Sequence, residues 1–327
     1  MQTEILGINE KSLNLAKNII LSGRTVVFPT ETVYGLGANA YDEFAVESIF
    51  NIKGRPNDNP LIAHVHKDYD ISELVSYVPE YAKILAKAFL PGPLTMVYKS
   101  RGTVCPAVSC GLDTLAIRIP SHNGAQSFLR KVGVPIAAPS ANISKHVSPT
   151  SAEHVYNDLK GRVELILDGG SCSGGIESTV LDCTGDVPII LRSGLISREM
   201  IEDKIGVCRV HSPKAGERVL SPGMKYRHYT PDCATMLCAD VEEALKAYEG
   251  LTDKEYVYFM CEDGAARKLC GKNILNLGKT DIEIAANLYA KLREGEKKAR
   301  LIIGILPEMR DGIMAGVINR FIKACGN

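Results

Sequence analysis

The feature that most constrains the fold of this chain is a break in its apolar periodicity between residues 207 and 232. This stretch carries three prolines and two glycines among basic residues, a composition that favours turns and extended linkers over helices and strands. With 327 residues, the chain also exceeds the size at which a single hydrophobic core usually stops growing. We therefore predict a first domain over residues 1–206, a linker over residues 207–232 and a second domain over residues 233–327.

The first domain shows the spacing of both helices and strands. Leu13, Ala16 and Ile19 recur on one helical face, which predicts a helix over residues 9–22. Further helical patterns cover residues 43–52, 79–89, 123–132, 151–159 and 197–205. Short apolar runs bounded by turn residues predict strands at residues 25–28, 61–65, 94–99, 114–119, 135–138, 164–168, 178–183 and 188–192. Together these patterns indicate a mixed α/β domain.

Beyond residue 232, predicted strands and helices alternate strictly. The strand patterns cover residues 235–238, 256–260, 274–277 and 301–306. The helical patterns cover residues 241–248, 262–270, 282–293 and 312–324. Strict alternation implies a parallel sheet covered by helices, so we predict a smaller, Rossmann-like α/β domain.

Charge, targeting signals and cysteines narrow the class of protein. Lys and Arg number 38, as do Asp and Glu, so a large uniform positive field for nucleic acid is excluded. The N-terminus lacks a leader pattern, and no apolar run approaches membrane-spanning length. The ten cysteines are scattered without a CxxC pair, which favours reduced thiols over disulfides or zinc. We expect a cytoplasmic protein without membrane contact or a structural metal.

Common nucleotide-binding and hydrolase motifs are absent from the sequence. There is no GxxxxGK[ST] phosphate loop, because residues 264–272 have the wrong spacing and Asn273 stands where Ser or Thr is required. GxGxxG, HExxH and GxSxG are missing as well. Any phosphate-binding site must therefore be built from other polar segments.

Two polar segments early in the chain are candidates. The sequence PTETVYGLG, residues 29–37, follows a predicted strand, and its glycines permit close backbone approach, although a simple turn has the same pattern. Further on, Lys53 and Arg55 flank a glycine at a helix end, with Asn59 and His64 beyond them. Two cations there suit a polyphosphate, although the dipole of a helix C-terminus also favours cations.

The segment TLAIRIP, residues 114–120, places a guanidinium in an otherwise apolar strand. Alternation puts Thr114, Ala116 and Arg118 on one face. Because a buried Arg must be paired, a structural salt bridge explains Arg118. Binding of a substrate carboxylate through its planar fork of donors is the alternative.

Two later loops carry hydroxyl groups. Ser140 and Asn142 follow the predicted strand over residues 135–138. Such side chains cap turns about as often as they bind ligands. The sequence GGSCSGG, residues 169–175, leads through an EST tripeptide into another strand, which a flexible loop would also explain. Each of these signals is weak when it is taken alone.

Together and in this order, the segments resemble the YrdC-like threonylcarbamoyl-AMP synthase family in its long, two-domain form. The resemblance covers nearly the whole chain. It rests on PTETVYGLG, Lys53 and Arg55 with NPL, AIRIP, PSAN, EST, an LRSG that ends at Gly194, and SPGMKYRHY at residues 221–229. It implies a YrdC-like domain with a mixed twisted sheet, followed by the smaller parallel-sheet domain.

The resemblance also implies a reaction. A nucleotidyltransferase of this kind, an L-threonylcarbamoyladenylate synthase, converts L-threonine, bicarbonate and ATP to threonylcarbamoyl-AMP and pyrophosphate. The product would pass to the tRNA threonylcarbamoyl-transfer machinery, and contact with tRNA or double-stranded RNA stays open. We expect Mg²⁺ with the triphosphate, held by phosphate oxygens and water, because no carboxylate cage is visible in the sequence.

Matching motif positions assign the residues of the site. The resemblance assigns catalytic roles to Lys53 and Arg55. Around threonine it places Thr32, His64, Arg118, Ala138 and Ser178, with Arg118 as the carboxylate clamp. Around ATP it places Arg55, Asn59, Thr114, Ser140, Ser148, Arg192, and Tyr226 or Tyr229 of the linker, with Asn142 in support. The linker would then act as a lid over the site.

Two other functions share part of this pattern. A double-stranded RNA-binding module would use the same basic concavity, but it would not need Thr32, Arg118 and Ser178 together. A carbamoyl-transfer domain of the hydrogenase-maturation kind resembles the same fold. That domain is expected beside an acylphosphatase-like region and zinc fingers, and this sequence contains neither pattern.

Overall fold

A computed structural model of the chain describes residues 1–212 and 229–326. The strands in these ranges are β1 Glu4–Gly7, β2 Val26–Phe28, β3 Gly35–Asn39, β4 Ile62–His64, β5 Leu94–Lys99, β6 Thr114–Arg118, β7 Ile136–Ala138, β8 Leu165–Asp168, β9 Thr179–Asp182, β10 Ile189–Arg192, β11 Arg209–Val210, β12 Ala234–Cys238, β13 Val257–Cys261, β14 Asn273–Asn276 and β15 Leu301–Ile305. The α-helices are α1 Glu10–Leu21, α2 Glu43–Lys53, α3 Glu80–Phe89, α4 Pro106–Ser109, α5 Asn123–Val132, α6 Ala152–Leu159, α7 Arg198–Ile205, α8 Val241–Glu249, α9 Asp263–Ala266, α10 Asp281–Lys298 and α11 Met314–Cys325, and a short 3-10 helix covers Ile71–Glu73.

The strands before residue 213 form one mixed sheet. Their order is β1-β8-β2-β3-β7-β4-β6-β5-β9-β10-β11. Strand β4 runs parallel to β6, whereas β7 is antiparallel to β4 and β5 is antiparallel to β6. One apolar cluster packs α1 and α5 against β2 and β8, and a larger one includes residues of α2, α3 and α6. The predicted mixed twisted sheet is therefore confirmed.

Capping residues explain where the helices around this sheet begin and end. The side chain of Asn9 accepts a hydrogen bond from the Ser12 amide, while the Ser12 hydroxyl accepts one from the Asn9 amide, so a capping box starts α1. Helix α2 ends at Gly54, which has a φ of 60°. Because glycine has no Cβ, it adopts this left-handed conformation at little cost. The chain therefore turns sharply between Lys53 and Arg55.

The strands after residue 232 form a second, separate sheet of order β12-β15-β13-β14. All the neighbouring pairs are parallel. Helices α10 and α11 contribute an apolar face that packs with residues of β13, β14 and β15. This confirms the smaller parallel-sheet unit predicted from the alternation of strands and helices.

Several short elements were not predicted from the sequence. Strand β3 carries two glycines that indicate a turn, yet in the sheet they make room for a neighbouring ring, because a Cβ on Gly37 would lie 2.9 Å from the ring of Phe28. Strand β1 is mostly exposed and β11 has two residues, so neither has a strong apolar pattern. The predicted helix over residues 262–270 was too long, since α9 spans Asp263–Ala266.

The strand register brings predicted site residues together. His64 at the end of β4 lies opposite Arg118 at the end of β6, and Thr95 of β5 lies opposite Arg118 on the other side. Ala138 at the end of β7 lies opposite Ile62 of β4. Residues that are far apart in the sequence therefore lie on neighbouring strands, with Ala138 paired two residues from His64 along β4.

Candidate functional site

A cavity opens where these strand ends meet the loops that follow them. Of the residues predicted for the site, it is lined by Arg55, His64, Arg118, Ala138, Ser140, Ser148, Ser178, Arg192 and Tyr229, and also by Asn142. Thr30, Tyr34, His146 and Glu177, which were not assigned from the sequence, line it too. The cavity thus combines cations, hydroxyl groups and a carboxylate on largely apolar walls.

Arg118 is the most buried cation of the cavity wall. Its side chain is 4% exposed, and its Nη2 atom lies 2.9 Å from Oε1 of Glu31. The other oxygen of Glu31 accepts a hydrogen bond of 3.1 Å from the Ser121 amide. The Nε of Arg118 has no hydrogen-bond partner among the described residues. A buried guanidinium with an unused donor is well suited to bind an anion.

His64 is held in its neutral form beside Arg118. Burial, followed by the charge of Arg118, lowers the pKa of His64 to about 3. Its Nδ1 lies 3.0 Å from the Ile62 carbonyl, and its ring packs edge-on against Phe28. A neutral His64 can hydrogen-bond a ligand without adding a second positive charge.

Thr32 lies behind the cavity surface. Its side chain is fully buried, and its hydroxyl lies 2.9 Å from that of Thr30, which itself lines the cavity. The Thr30 hydroxyl donates to the Val33 carbonyl at 2.6 Å. In this structure Thr32 therefore reaches the cavity through Thr30.

Ser178 is connected to residues of two neighbouring strands. Its hydroxyl lies 2.8 Å from that of Thr95, and Nη2 of Arg192 donates to it at 3.2 Å. Nε and Nη2 of Arg192 also donate to the Ser178 carbonyl at 3.2 and 3.0 Å. Arg192 and Ser178 thus form one unit in the cavity wall.

Lys53 is placed differently from Arg55. It is 2% exposed, and its ammonium group donates to the carbonyls of Ser140 and Asn142. Burial, followed by the charge of Arg55, lowers the pKa of Lys53 well below its usual range. Arg55 lines the described cavity, whereas Lys53 does not. Lys53 therefore supports the loop that carries Ser140.

Asn59 and Thr114 also lie outside the described cavity wall. Asn59 is fully buried, its carbonyl accepts from Nη2 of Arg55 at 2.9 Å, and its carboxamide has no hydrogen-bond partner among the described residues. Thr114 begins β6, about 13 Å along the strand from Arg118. The Asn59 carboxamide is thus a buried polar group next to Arg55 that has no partner among the described residues.

Glu177 is a buried carboxylate at the centre of the cavity wall. It accepts hydrogen bonds from the Ser148 hydroxyl at 2.7 Å, the Tyr289 hydroxyl at 2.9 Å and Nε of Arg320 at 2.8 Å. Burial alone would raise the pKa of Glu177, but the charges of Arg320 and Arg192 lower it to about 2. Glu177 is therefore a fixed negative charge.

Of the two linker tyrosines, Tyr229 is in the described part of the chain and Tyr226 lies outside it. The Tyr229 hydroxyl is 3.3 Å from Oε2 of Glu177. Its ring stacks on Tyr289 with the centroids 5.2 Å apart. The end of the linker thus reaches the cavity.

Sequence reasoning missed the residues that complete these contacts. Glu31 and Glu177 were inside the quoted motifs but received no role. A signal for Glu31 was present, since a buried Arg118 required a partner. Tyr289 and Arg320 lie in the second sheet unit and carry no local motif.

Searches for metal clusters and membrane spans found neither in the part of the chain that the structure describes. No group of three or more His, Cys, Asp or Glu side chains there is arranged to hold a metal ion. No helix in residues 1–212 or 229–326 is long and apolar enough to cross a membrane.

Comparison with known proteins gives matches over most of the chain. A profile of the Sua5/YciO/YrdC family, described as telomere recombination, matches residues 18–194. A second profile, described as threonylcarbamoyl-AMP synthase, C-terminal domain, matches residues 196–326. The two profiles follow the same order as the two sheets.

Similar proteins agree with this division. The threonylcarbamoyl-AMP synthase of Pyrococcus abyssi is 41% identical, with 98% of this chain and 95% of the relative covered, and that of Bacillus subtilis is 40% identical, with 99% and 96% covered. The crystal structure of P. abyssi Sua5 complexed with L-threonine has a TM-score of 0.91 at 39% identity, covering 99% of this chain and 98% of the other.

A mixed sheet with this cavity at its strand ends, followed by a parallel-sheet unit, defines the class of two-domain YrdC-like proteins. The similarity to P. abyssi Sua5 extends through both sheets. The chain belongs to the Sua5/YciO/YrdC family, in its long form. The resemblance identified from the motifs is thereby confirmed.

Proposed function

We propose that this chain is an L-threonylcarbamoyladenylate synthase, a nucleotidyltransferase that condenses L-threonine, bicarbonate and ATP to threonylcarbamoyl-AMP and pyrophosphate. The observation that carries the proposal is the buried guanidinium of Arg118, which lines the cavity with an unused donor. Support comes from near full-length similarity to proteins named threonylcarbamoyl-AMP synthase and to a threonine-bound structure.

Threonine would bind at the Arg118 end of the cavity. The planar donor fork of Arg118 is matched to a carboxylate. The hydroxyl of Ser178 and the neutral ring of His64 lie on the same wall and provide hydrogen-bonding groups for the rest of the amino acid. Ala138 contributes apolar wall, and Thr32 supports Thr30 from behind.

ATP would occupy the side of the cavity formed by residues from four separate segments. These are Arg55, Ser140, Ser148, Arg192 and Tyr229. Asn59 contacts Arg55 from outside the described cavity wall, and Thr114, at the far end of β6 from Arg118, does not line the cavity. Arg55 and Arg192 bring two positive charges to a polyphosphate. Lys53 would contribute to catalysis indirectly, because it holds the loop that carries Ser140 in place.

In the reaction, the neutral amine of threonine forms a bond to the carbon of carbon dioxide derived from bicarbonate, and the amine loses a proton. An oxygen of the resulting carbamate then bonds to the α-phosphorus of ATP while the bond to pyrophosphate breaks. Such a reaction depends on positioning and on stabilising phosphate charge rather than on a covalent nucleophile. The cavity residues supply both.

Magnesium would arrive with the triphosphate. The described residues offer no cluster of three or more metal ligands, and the one carboxylate of the described cavity wall, Glu177, is already bonded to Arg320 and Tyr289. The protein therefore provides no cage of its own among these residues. Phosphate oxygens and water are the natural ligands for an ion held in this way.

The linker, residues 207–232, would join a first domain at residues 1–206 to a second at residues 233–327 and act as a lid over the active site. Its residues 213–228 lie outside the part of the chain that the structure describes. Tyr229, at its described end, lies on the cavity wall. Closure would exclude water from a carbamate and an acyl phosphate, both of which hydrolyse. We further propose that the enzyme works in the cytoplasm and passes its product to the tRNA threonylcarbamoyl-transfer machinery.

The test is pyrophosphate release from ATP, with threonine and bicarbonate omitted in turn. We expect release only when both are present, because adenylation acts on their adduct. Equal release without bicarbonate would instead identify simple amino-acid adenylation. No release under any condition, from protein that binds ATP, would contradict the proposed reaction.

A further inference from the structure

The buried carboxylate of Glu177 connects the active-site loops to the second sheet unit. We propose that Arg320 and Tyr289 of the second unit are positioning residues, which act through Glu177 to hold Ser148 and the Ser178–Arg192 pair in their working geometry. The inference rests on the function proposed above. It makes the second unit a part of the catalytic machinery without any substrate contact of its own.

Glu177 bonds residues of four other segments: the loop that carries Ser148, the end of the linker at Tyr229, α10 and α11. Its Oε1 accepts from the hydroxyl of Ser148 at 2.7 Å, and its Oε2 accepts from Tyr289 on α10 at 2.9 Å and from Arg320 on α11 at 2.8 Å. A carboxylate that is bonded on both oxygens has little rotational freedom. The orientation of the Ser148 hydroxyl therefore depends on groups in the second unit.

Arg320 also holds the strand that carries Arg192. Its Nη1 donates to the Ser193 carbonyl at 2.7 Å and to the Gly316 carbonyl at 2.9 Å. Ser193 directly follows Arg192, just as Glu177 directly precedes Ser178. One guanidinium thus bonds the Glu177 side chain beside Ser178 and the backbone carbonyl beside Arg192.

Close backbone contacts dock the same two loops onto the second unit. A Cβ on Gly175 would lie 2.3 Å from the carbonyl oxygen of Ala285 on α10. A Cβ on Gly316 of α11 would lie 3.1 Å from the Cα of Gly194. The contact at Gly175 is possible only for glycine, and at Gly316 a Cβ would require its neighbour to give way, so both loops pack closely against α10 and α11.

The charges around Glu177 give the experiment a pH-dependent readout. Arg192, Tyr229, Tyr289, Arg320 and Lys323 all interact electrostatically with this carboxylate. Burial would raise its pKa, and the charge of Arg320 is the largest influence that opposes burial. Without Arg320, Glu177 should take up a proton at a higher pH and lose its fixed charge beside Ser148.

The experiment measures kcat and KM for ATP and threonine between pH 5.5 and 8.5 by pyrophosphate release. For Arg320→Met we expect kcat/KM to fall by roughly 10- to 100-fold, the range for a small misplacement of reacting groups, with the loss increasing at acidic pH. Arg320→Lys, which can restore one donor and the charge, should recover part of the rate. Tyr289→Phe should give a smaller loss of the same kind.

Arg293→Met is the matched control. Arg293 is also a buried cation of the second unit, and its side chain is 4% exposed against 1% for Arg320. It also bonds residues of the first sheet unit, namely Asp158 and the Val147 carbonyl. It does not bond Glu177 in the described structure. Because Val147 directly precedes Ser148, we expect this variant to lower the rate as well as the thermal unfolding midpoint. Its pH profile should stay parallel to that of the wild type, since Arg293 is not among the charges that shift the pKa of Glu177.

A folded Arg320→Met with wild-type kinetics, or with the same pH profile as Arg293→Met, would overturn the inference. If Arg320→Met does not fold, Tyr289→Phe decides, because it removes one hydroxyl with almost no change in volume, and unchanged kinetics would then overturn the proposal. A wild type that releases no pyrophosphate with threonine and bicarbonate would overturn the proposed function itself, before any variant is compared.

Discussion

Glu31 and Arg118 form a buried ion pair, with 2.9 Å between Oε1 and Nη2, on the wall of the candidate threonine site. The pair answers a question that the sequence left open, because Arg118 has both a structural partner and an unused donor. A salt bridge and a ligand site are therefore compatible at this position. Glu31 neutralises the guanidinium through Nη2, and Nε has no hydrogen-bond partner among the described residues.

Arg118→Ala should weaken threonine binding by about 2–4 kcal/mol, the range for truncating one member of a buried, hydrogen-bonded charge pair. Isothermal titration of threonine checks the prediction, and the ATP affinity of the same variant is the control. Unchanged threonine affinity in a folded protein would remove Arg118 from the site.

Glu31→Gln tests whether the ion pair orients Arg118. Gln keeps the shape and can still accept from the Ser121 amide, but it no longer neutralises the guanidinium. We expect threonine affinity to fall about tenfold, as when a supporting partner of a ligand-binding side chain is removed at metal sites. Tighter binding would instead mean that the Glu31 carboxylate only competes with the substrate.

Lys53→Met and Arg55→Met should have different effects, although the two residues are adjacent in the motif. Loss of Lys53 leaves the buried carbonyls of Ser140 and Asn142 without this donor, at about 1–3 kcal/mol for each unsatisfied group, so urea unfolding should show lower stability. Arg55→Met removes the donor to the buried Asn59 carbonyl, so it should cost less stability than Lys53→Met while weakening ATP binding. Equal ATP affinity in Arg55→Met and the wild type would rule out a phosphate role for Arg55.

His64 should contribute to the pH dependence of stability. Its pKa is lowered to about 3 in the folded protein from an ordinary value of 6.5, so the unfolded chain binds more protons between these pH values. Stability is therefore full above about pH 6.5 and falls as the pH drops, by at most about 1.4 kcal/mol per pH unit.

In the variant His64→Gln, the fall of stability with decreasing pH should become shallower. Part of the pH dependence that remains should come from His154, because burial lowers the pKa of His154 to about 4. Urea titrations between pH 4 and pH 7 measure the difference. An identical slope in the wild type and the variant would show that His64 is protonated in the folded state.

The sheets were predictable because their central strands are short apolar runs between clear turn signals. Strands β5 and β6 were located closely for this reason. Strand β3 was not located. The glycines of PTETVYGLG indicate a turn, and the sequence alone does not show that they make room for the ring of Phe28. A local sequence pattern reflects only the intrinsic propensity for a strand or a turn, whereas β3 forms because it packs against Phe28.

The same limit applies to the candidate site. Arg118, Ser178 and Arg192 could be assigned from motifs, and they do line one cavity. The contact between Glu177 and Arg320 joins residues 143 positions apart, and no spacing rule predicts it. Contacts between separate folding units depend on how the units dock, which a single sequence does not reveal.

The N-terminal segment shows that a family profile and the folded domain need not begin at the same residue. The family match starts at residue 18, inside α1, whereas β1 lies before it and pairs along its whole length with β8. Leu13 and Ala16 belong to the apolar cluster that contains Phe28, and Phe28 packs against His64. A fragment trimmed to the match would uncover the edge of β8 and part of the support of the His64 ring, so residues 1–17 serve the site from a distance.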